Sequence, residues 1–102
     1  MASKRDQFQE LWVRAGDKSL AALINGDRGW LMYLDEPGDS GFSSRNPAYD
    51  GPADAMIEYY LSNGQRDEYP ASWAYPLDEV TRALEYFRRG EKRPPFIEWH
   101  RD

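Results

Sequence analysis

A chain of 102 residues with no cysteine has room for one domain, spanning 1–102, and excludes disulfide and thiolate chemistry. Its formal charge of −5 is unevenly spread: residues 27–69 hold nine acids against three arginines, the stretch before them is nearly neutral, and residues 70–102 balance. A field of that sign repels nucleic acid and anionic lipid and attracts a basic protein surface.

The opening MASKRDQFQELW carries charges in its first six residues with no apolar run behind them, unlike a secretory signal. No later stretch approaches the roughly 18 apolar residues of a membrane span, so a cytoplasmic protein is expected. Phe8, Leu11 and Trp12 stand at helical spacing before Gly16, which predicts a short N-terminal helix ended by that glycine. SLAALI (19–24) and GWLMYL (29–34) flank Asn25-Gly26-Asp27, a hairpin signal, because a tight turn needs residues that tolerate positive φ.

Asp35-Glu36-Pro37-Gly38-Asp39 is turn chemistry, and Phe42 to Arg45 follows as a short strand whose serines are expected at a sheet edge. NPAYDGPAD (46–54) reads as an exposed loop carrying Tyr49 and Asp50. From Ala55 to Ser62, Ile57, Tyr59 and Leu61 alternate with Met56, Glu58, Tyr60 and Ser62. Asn63-Gly64 then turns the chain into a second antiparallel strand, Gln65 to Tyr69. The side bearing Glu58 and Ser62 is left for solvent or a partner.

Pro76 opens the clearest helix. Asp78 and Glu79 lie in its first turn, Arg88 and Arg89 in its last, Gly90 is its stop, and Leu77, Val80, Ala83, Leu84 and Phe87 form its apolar stripe. The basic run from Arg88 to Arg93 is read as a helix end and a solvated loop. Phe96 to Trp99 predicts a last strand. The fold class expected is α+β: an antiparallel sheet of four to six strands, one major C-terminal helix packed on one face, and the other face partly free. Trp30, Phe87 and Trp99 are assigned to the core. The many rings serve either as core filler or as partner contacts.

Catalytic equipment is sparse. The single histidine, His100, would have to serve any nucleophilic serine, and no cluster of His, Cys or alternating carboxylates predicts a metal, so no catalytic residue, metal or cofactor is expected. GDSGF has two glycines but no lysine after them to make a phosphate loop.

With catalysis set aside, a larger pattern stands out. GDRGWLMYL, GDSGFSSRNP, a strand ending in Asn-Gly, EYPASWAYPLDEVTRALEYFRRG and RPPFIEWH follow one another in order. This order resembles the first-numbered family of immunity proteins of bacterial polymorphic toxin systems, over roughly residues 19–100. The resemblance is most specific at Pro76, Leu77, Val80, Ala83, Phe87, Gly90, Pro94 or Pro95, and Trp99. It implies an α+β protein encoded beside a secreted or contact-delivered toxin, which it neutralises in the producing cell by direct binding, nucleases and nucleic-acid deaminases being the leading toxins. The short N-terminal region departs from longer members. The candidate partner-binding residues are Asp35, Glu36 and Asp39 in the turn, Tyr49 and Asp50 in the loop, and Asp67, Glu68 and Tyr69 after the second hairpin, facing a toxin with a basic active-site surface. Neither nucleic acid nor membrane is an expected partner, and the protein itself is expected as a monomer or weak homodimer. An adaptor unrelated to toxins and, below it, a small carboxylate-dependent hydrolase are the alternatives.

Overall fold

The computed structural model describes residues 7–102. Its strands are β1 (Phe8–Ala15), β2 (Lys18–Asn25), β3 (Arg28–Leu34), β4 (Phe42–Arg45), β5 (Met56–Tyr60), β6 (Arg66–Pro70), β7 (Tyr75–Pro76) and β8 (Glu98–Arg101). A single turn of 3-10 helix (Ala71–Trp73) precedes β7, and the helix α1 (Leu77–Gly90) follows it. The main sheet is antiparallel in the order β1-β2-β3-β4-β8, with β7 joined to β3, while β5 and β6 form a separate two-stranded hairpin. The fold is α+β.

The expected N-terminal helix is a strand. All eight residues of β1 pair with β2, from Phe8 opposite Asn25 to Ala15 opposite Lys18. Phe8, Leu11 and Trp12 fit a helical period, but Val13 and Ala15 also alternate toward the core, and pairing with an apolar strand decides between the two. Gly16 ends the strand in a two-residue turn at φ +61°, and Gly26 does the same between β2 and β3 at φ +62°. The turn residues between β2 and β3 are thus Gly26-Asp27, with Asn25 paired to Arg28.

β2 is buried along its whole run from Ser19 to Ile24 because both faces of the sheet are covered. On one face Leu20, Ala22, Ile24, Leu31 and Tyr33 pack against Val80, Ala83, Leu84 and Phe87 of α1. Gly29 permits that approach, since a Cβ there would stand 2.9 Å from Val80 Cγ2. On the other face, expected to be partly free, Leu23, Trp30 and Met32 are covered by Ile57, Tyr59, Leu61 and Tyr69 of the β5–β6 hairpin and by Trp73. A strand sandwiched in this way reads as a continuous apolar run rather than an alternating one.

β4 lies inside the sheet, not at its edge. Only Tyr33–Phe42 and Met32–Ser43 pair between β3 and β4. Beyond them the fully buried Ser44 replaces the missing backbone partner: its hydroxyl accepts from Leu31 N at 3.0 Å and donates to Trp73 O at 2.8 Å. The Tyr75 hydroxyl, donating to Arg45 O at 2.7 Å and accepting from Glu98 N at 2.9 Å, ties β7 to β4 and β8. β8 begins at Glu98. Ile97, just before it, is a core residue, and the half-buried Trp99 donates its indole N–H to Pro94 O at 2.8 Å.

The helix begins after Pro76, where Leu77 N–H donates to Asp27 O at 2.8 Å. Gly90 is its last helical residue, and the left-handed position that closes it belongs to Glu91 (φ 56°, ψ 31°). The expected stop is therefore displaced by one residue. No helix among the described residues is long and apolar enough to cross a membrane.

Candidate partner-binding surface

The three groups of acids named from the sequence sit on different supports. Asp35, Glu36 and Asp39 occupy the turn that leaves β3. Asp35 accepts the Tyr33 hydroxyl at 2.9 Å, Asp39 N–H donates to Glu36 O at 3.2 Å, and Glu36 is exposed. The Tyr33 hydroxyl is buried and hydrogen-bonded to a carboxylate that disfavours its anion, so its pKa is pushed up to about 12, burial being the larger cause.

Tyr49 and Asp50 lie in the loop beyond β4, at the opposite end of the sheet because β4 runs antiparallel to β3. Tyr49 folds back on its own loop, its hydroxyl donating to Pro52 O at 2.8 Å, while Asp50 is exposed. The loop leads into the base of the hairpin, where Asn46 N bonds Ser72 O and Ala71 N bonds Ala55 O.

Asp67, Glu68 and Tyr69 follow on β6. Glu68 stands opposite Glu58, a like-charge pair, and Arg66 lies between them, 2.8 Å from Glu58 and 3.0 Å from Glu68. Asp67 accepts from Gln65 Nε2 at 2.8 Å and from the Tyr69 hydroxyl at 3.3 Å. Tyr69 is half buried, stacked on Trp30 at 4.5 Å and next to Trp73 at 5.9 Å. Burial, then the Asp67 carboxylate, raises its pKa. Its ring is thus committed largely to the second core. The structure brings the loop to the base of the hairpin, while the 35–39 turn and the loop leave opposite ends of β4.

Two residues absent from the sequence-based set belong beside them. Asp102, after β8, accepts the Ser43 hydroxyl at 2.9 Å and helps raise the Tyr69 pKa. Arg45 lies 3.6 Å over the Trp73 ring and donates to Ser43 Oγ at 2.9 Å and Ser44 O at 2.8 Å. Burial lowers its pKa. Neither carries a local sequence signal, since both owe their place to the pairing of β4 with β8.

That pairing also puts His100 opposite Ser43, the contact nucleophilic catalysis would require. No hydrogen bond joins them. Ser43 is 2% exposed, and its hydroxyl proton goes to Asp102. Among the described residues no group of three or more His, Asp or Glu is placed to hold a metal ion. Ser43 and His100 are thus neighbours across the pair of strands without being joined as nucleophile and base.

The family model for immunity protein Imm1 matches residues 2–101. The chain belongs to the Imm1 immunity protein family. A comparison with curated proteins returns no match. As an Imm1 member the chain has a general role in toxin immunity, and the sheet with its helix on one face and its hairpin on the other is the scaffold that displays the acids.

Proposed function

We propose that this Imm1 protein binds and neutralises a cognate bacterial toxin in the cytoplasm of the producing cell, as a non-enzymatic inhibitor acting through its acidic, aromatic-bearing surface. The observation that carries the reading is the family match over residues 2–101, joined to nine acids against three arginines in residues 27–69. Most of those acids occupy exposed or half-exposed turns and strands. A toxin that acts on nucleic acid, a nuclease or a deaminase, presents a basic concave site, and an acidic inhibitor is steered to it and occludes it. The single domain spans 1–102 and works without metal or cofactor. The contact set is Asp35, Glu36 and Asp39 on the turn and Asp50, Asp67 and Glu68 on the loop and hairpin, with Tyr49 and Tyr69 beside the second group.

Co-expression with the toxin encoded next to its gene is the test. Restored growth and a complex that survives gel filtration are expected. Continued toxicity with both proteins folded and present sinks the proposal.

A further inference from the structure

The molecule has a second surface of opposite sign. Residues 82–93 hold five lysines and arginines against Glu85 and Glu91, a local +3, whereas the rest of the chain carries −8. The helical period sets Arg82, Tyr86 and Arg89 on the face of α1 turned away from its buried stripe of Val80, Ala83, Leu84 and Phe87. The chain that returns after α1 brings Lys92, Pro95 and Phe96 alongside, and the two segments enclose an open groove of about 940 Å³.

Its floor is aromatic: Tyr86, 39% exposed, meets Phe96 edge to face with centroids 5.6 Å apart. Arg82 lies 4.0 Å over the Phe96 ring and is paired with Glu79 at 3.7 Å, and Arg88 is paired with Glu85. Arg89 and Lys92 line the groove with no ion pair among the described residues. Two uncommitted cations beside a ring floor is a chemistry that takes carboxylates at its rim and an apolar side chain at its centre.

We infer that this groove docks a short acidic segment of a partner protein, its carboxylates on Arg89 and Lys92 and one aliphatic or aromatic side chain on the Tyr86–Phe96 floor. Nucleic acid is the poorer occupant: Glu79 and Glu85 stand among the groove's cations, and a long polyanion would meet the −8 of the remaining chain. The helix covers one face of the sheet and the hairpin the other, so the groove and the β5–β6 surface do not overlap. The inference does not depend on the toxin reading.

A capped octapeptide of glutamates around a central leucine-phenylalanine pair is the probe, titrated into the isotope-labelled protein and followed by amide chemical shifts. Saturable shifts confined to residues 82–96 are expected. The double variant Arg89→Glu/Lys92→Glu should weaken the peptide at least tenfold with unchanged circular dichroism and thermal unfolding, and Tyr86→Ala should weaken it severalfold. Shifts elsewhere, equal binding of the lysine version of the peptide, or preferential binding of a ten-nucleotide oligothymidylate at the groove overturns it. Self-association that the charge-reversed variant abolishes would also overturn it, in favour of a second copy of this chain.

Discussion

The Tyr69 ring lies nearly parallel to that of Trp30, centroids 4.5 Å apart and 17° between planes, and this stack holds the β5–β6 hairpin to the sheet. Ile57, Tyr59 and Leu61 pack on the same face and Tyr60 meets Phe8 edge to face at 4.8 Å, while hydrogen bonds run from Asn25 Nδ2 to Glu58 O at 2.9 Å and from Ser62 N to Glu10 at 3.0 Å. Two polar atoms on this face, Trp30 Nε1 and the Tyr59 hydroxyl, are buried without a hydrogen-bond partner among the described residues. Each such group costs about 1–3 kcal/mol. Tyr69→Ala is expected to cost about 2–3 kcal/mol, combining lost burial with the ring pair, and to raise amide exchange in Met56–Pro70 ahead of exchange in α1. Tyr59→Phe, which deletes only the orphaned hydroxyl, is expected to be neutral or to stabilise by about 1 kcal/mol. Urea denaturation of both variants checks the pair. A Tyr59→Phe protein clearly weaker than the parent would mean that the hydroxyl has a partner.

Glu91 closes α1 in the left-handed region at φ 56°, where any side chain with a Cβ is strained and glycine is not. Its backbone N–H donates to Phe87 O at 2.7 Å and its carbonyl accepts from Lys18 Nζ at 3.5 Å. Glycine keeps both contacts. Glu91→Gly is therefore expected to stabilise the protein by about 0.5–1 kcal/mol, seen as a rise of a few degrees in Tm. Gly90→Ala, at a helical position with nothing within 4 Å of a new Cβ, should also stabilise. A loss of stability in Glu91→Gly would show that the helix does not end in this conformation.

Much of this architecture is legible in the sequence because its signals are local. Pro76, Asp78, Glu79, Arg88 and Arg89 mark α1, and Gly26 marks the turn between two apolar strands. The failures come from distant pairing. Phe8, Leu11 and Trp12 suit a helix until β2 is set beside them, and Ser44 looks like an edge residue until β4 lies between β3 and β8. Which sheet face receives the second hairpin depends on Tyr69 meeting Trp30, a contact no local pattern encodes. Of the candidate surface, the exposed turn and loop are readable as such. That Arg66 is already paired with Glu68, and that Tyr69 faces inward, is not.

Tyrosine burial gives the protein an alkaline limit. Burial, with the Asp35 carboxylate beside it, pushes the Tyr33 pKa up to about 12, and burial raises those of Tyr59, Tyr69 and Tyr75 as well. In the unfolded chain a tyrosine titrates near pH ~10. Between that pH and the folded pKa the unfolded state binds fewer protons, so stability falls as pH rises. The contribution is whole below pH ~10 and is lost as pH climbs toward about 12. Denaturant midpoints measured across this range should decline, and Tyr33→Phe should make the decline shallower without changing its onset from the remaining rings. A flat profile up to pH ~12 would contradict the buried state of these hydroxyls.

The separation of the acids decides which of them steer a partner. β3 has seven residues and, at about 3.3 Å each, spans roughly 23 Å, so the 35–39 turn at its end and the 46–54 loop near its start lie more than one Debye length apart at physiological salt, about 8 Å. The two groups therefore act on an approaching toxin almost independently. The acids are not equally free. Glu58 and Glu68 share Arg66, whereas Asp35, Glu36 and Asp39 have no ion pair among the described residues. Asp50 and Asp67 are likewise without an ion pair there, so the contrast lies between the turn acids and the Glu58–Arg66–Glu68 cluster. The triple variant Asp35→Asn/Glu36→Gln/Asp39→Asn is expected to slow association with the cognate toxin about fivefold or more at low ionic strength, with the difference shrinking as salt is added. Glu68→Gln is expected to change the rate less than about twofold, because the neutralised residue was already matched by Arg66. Stopped-flow association rates across a salt series distinguish the two. Equal slowing by both variants would place the encounter surface on the hairpin as well as the turn, and no slowing by the triple variant would remove the turn from it.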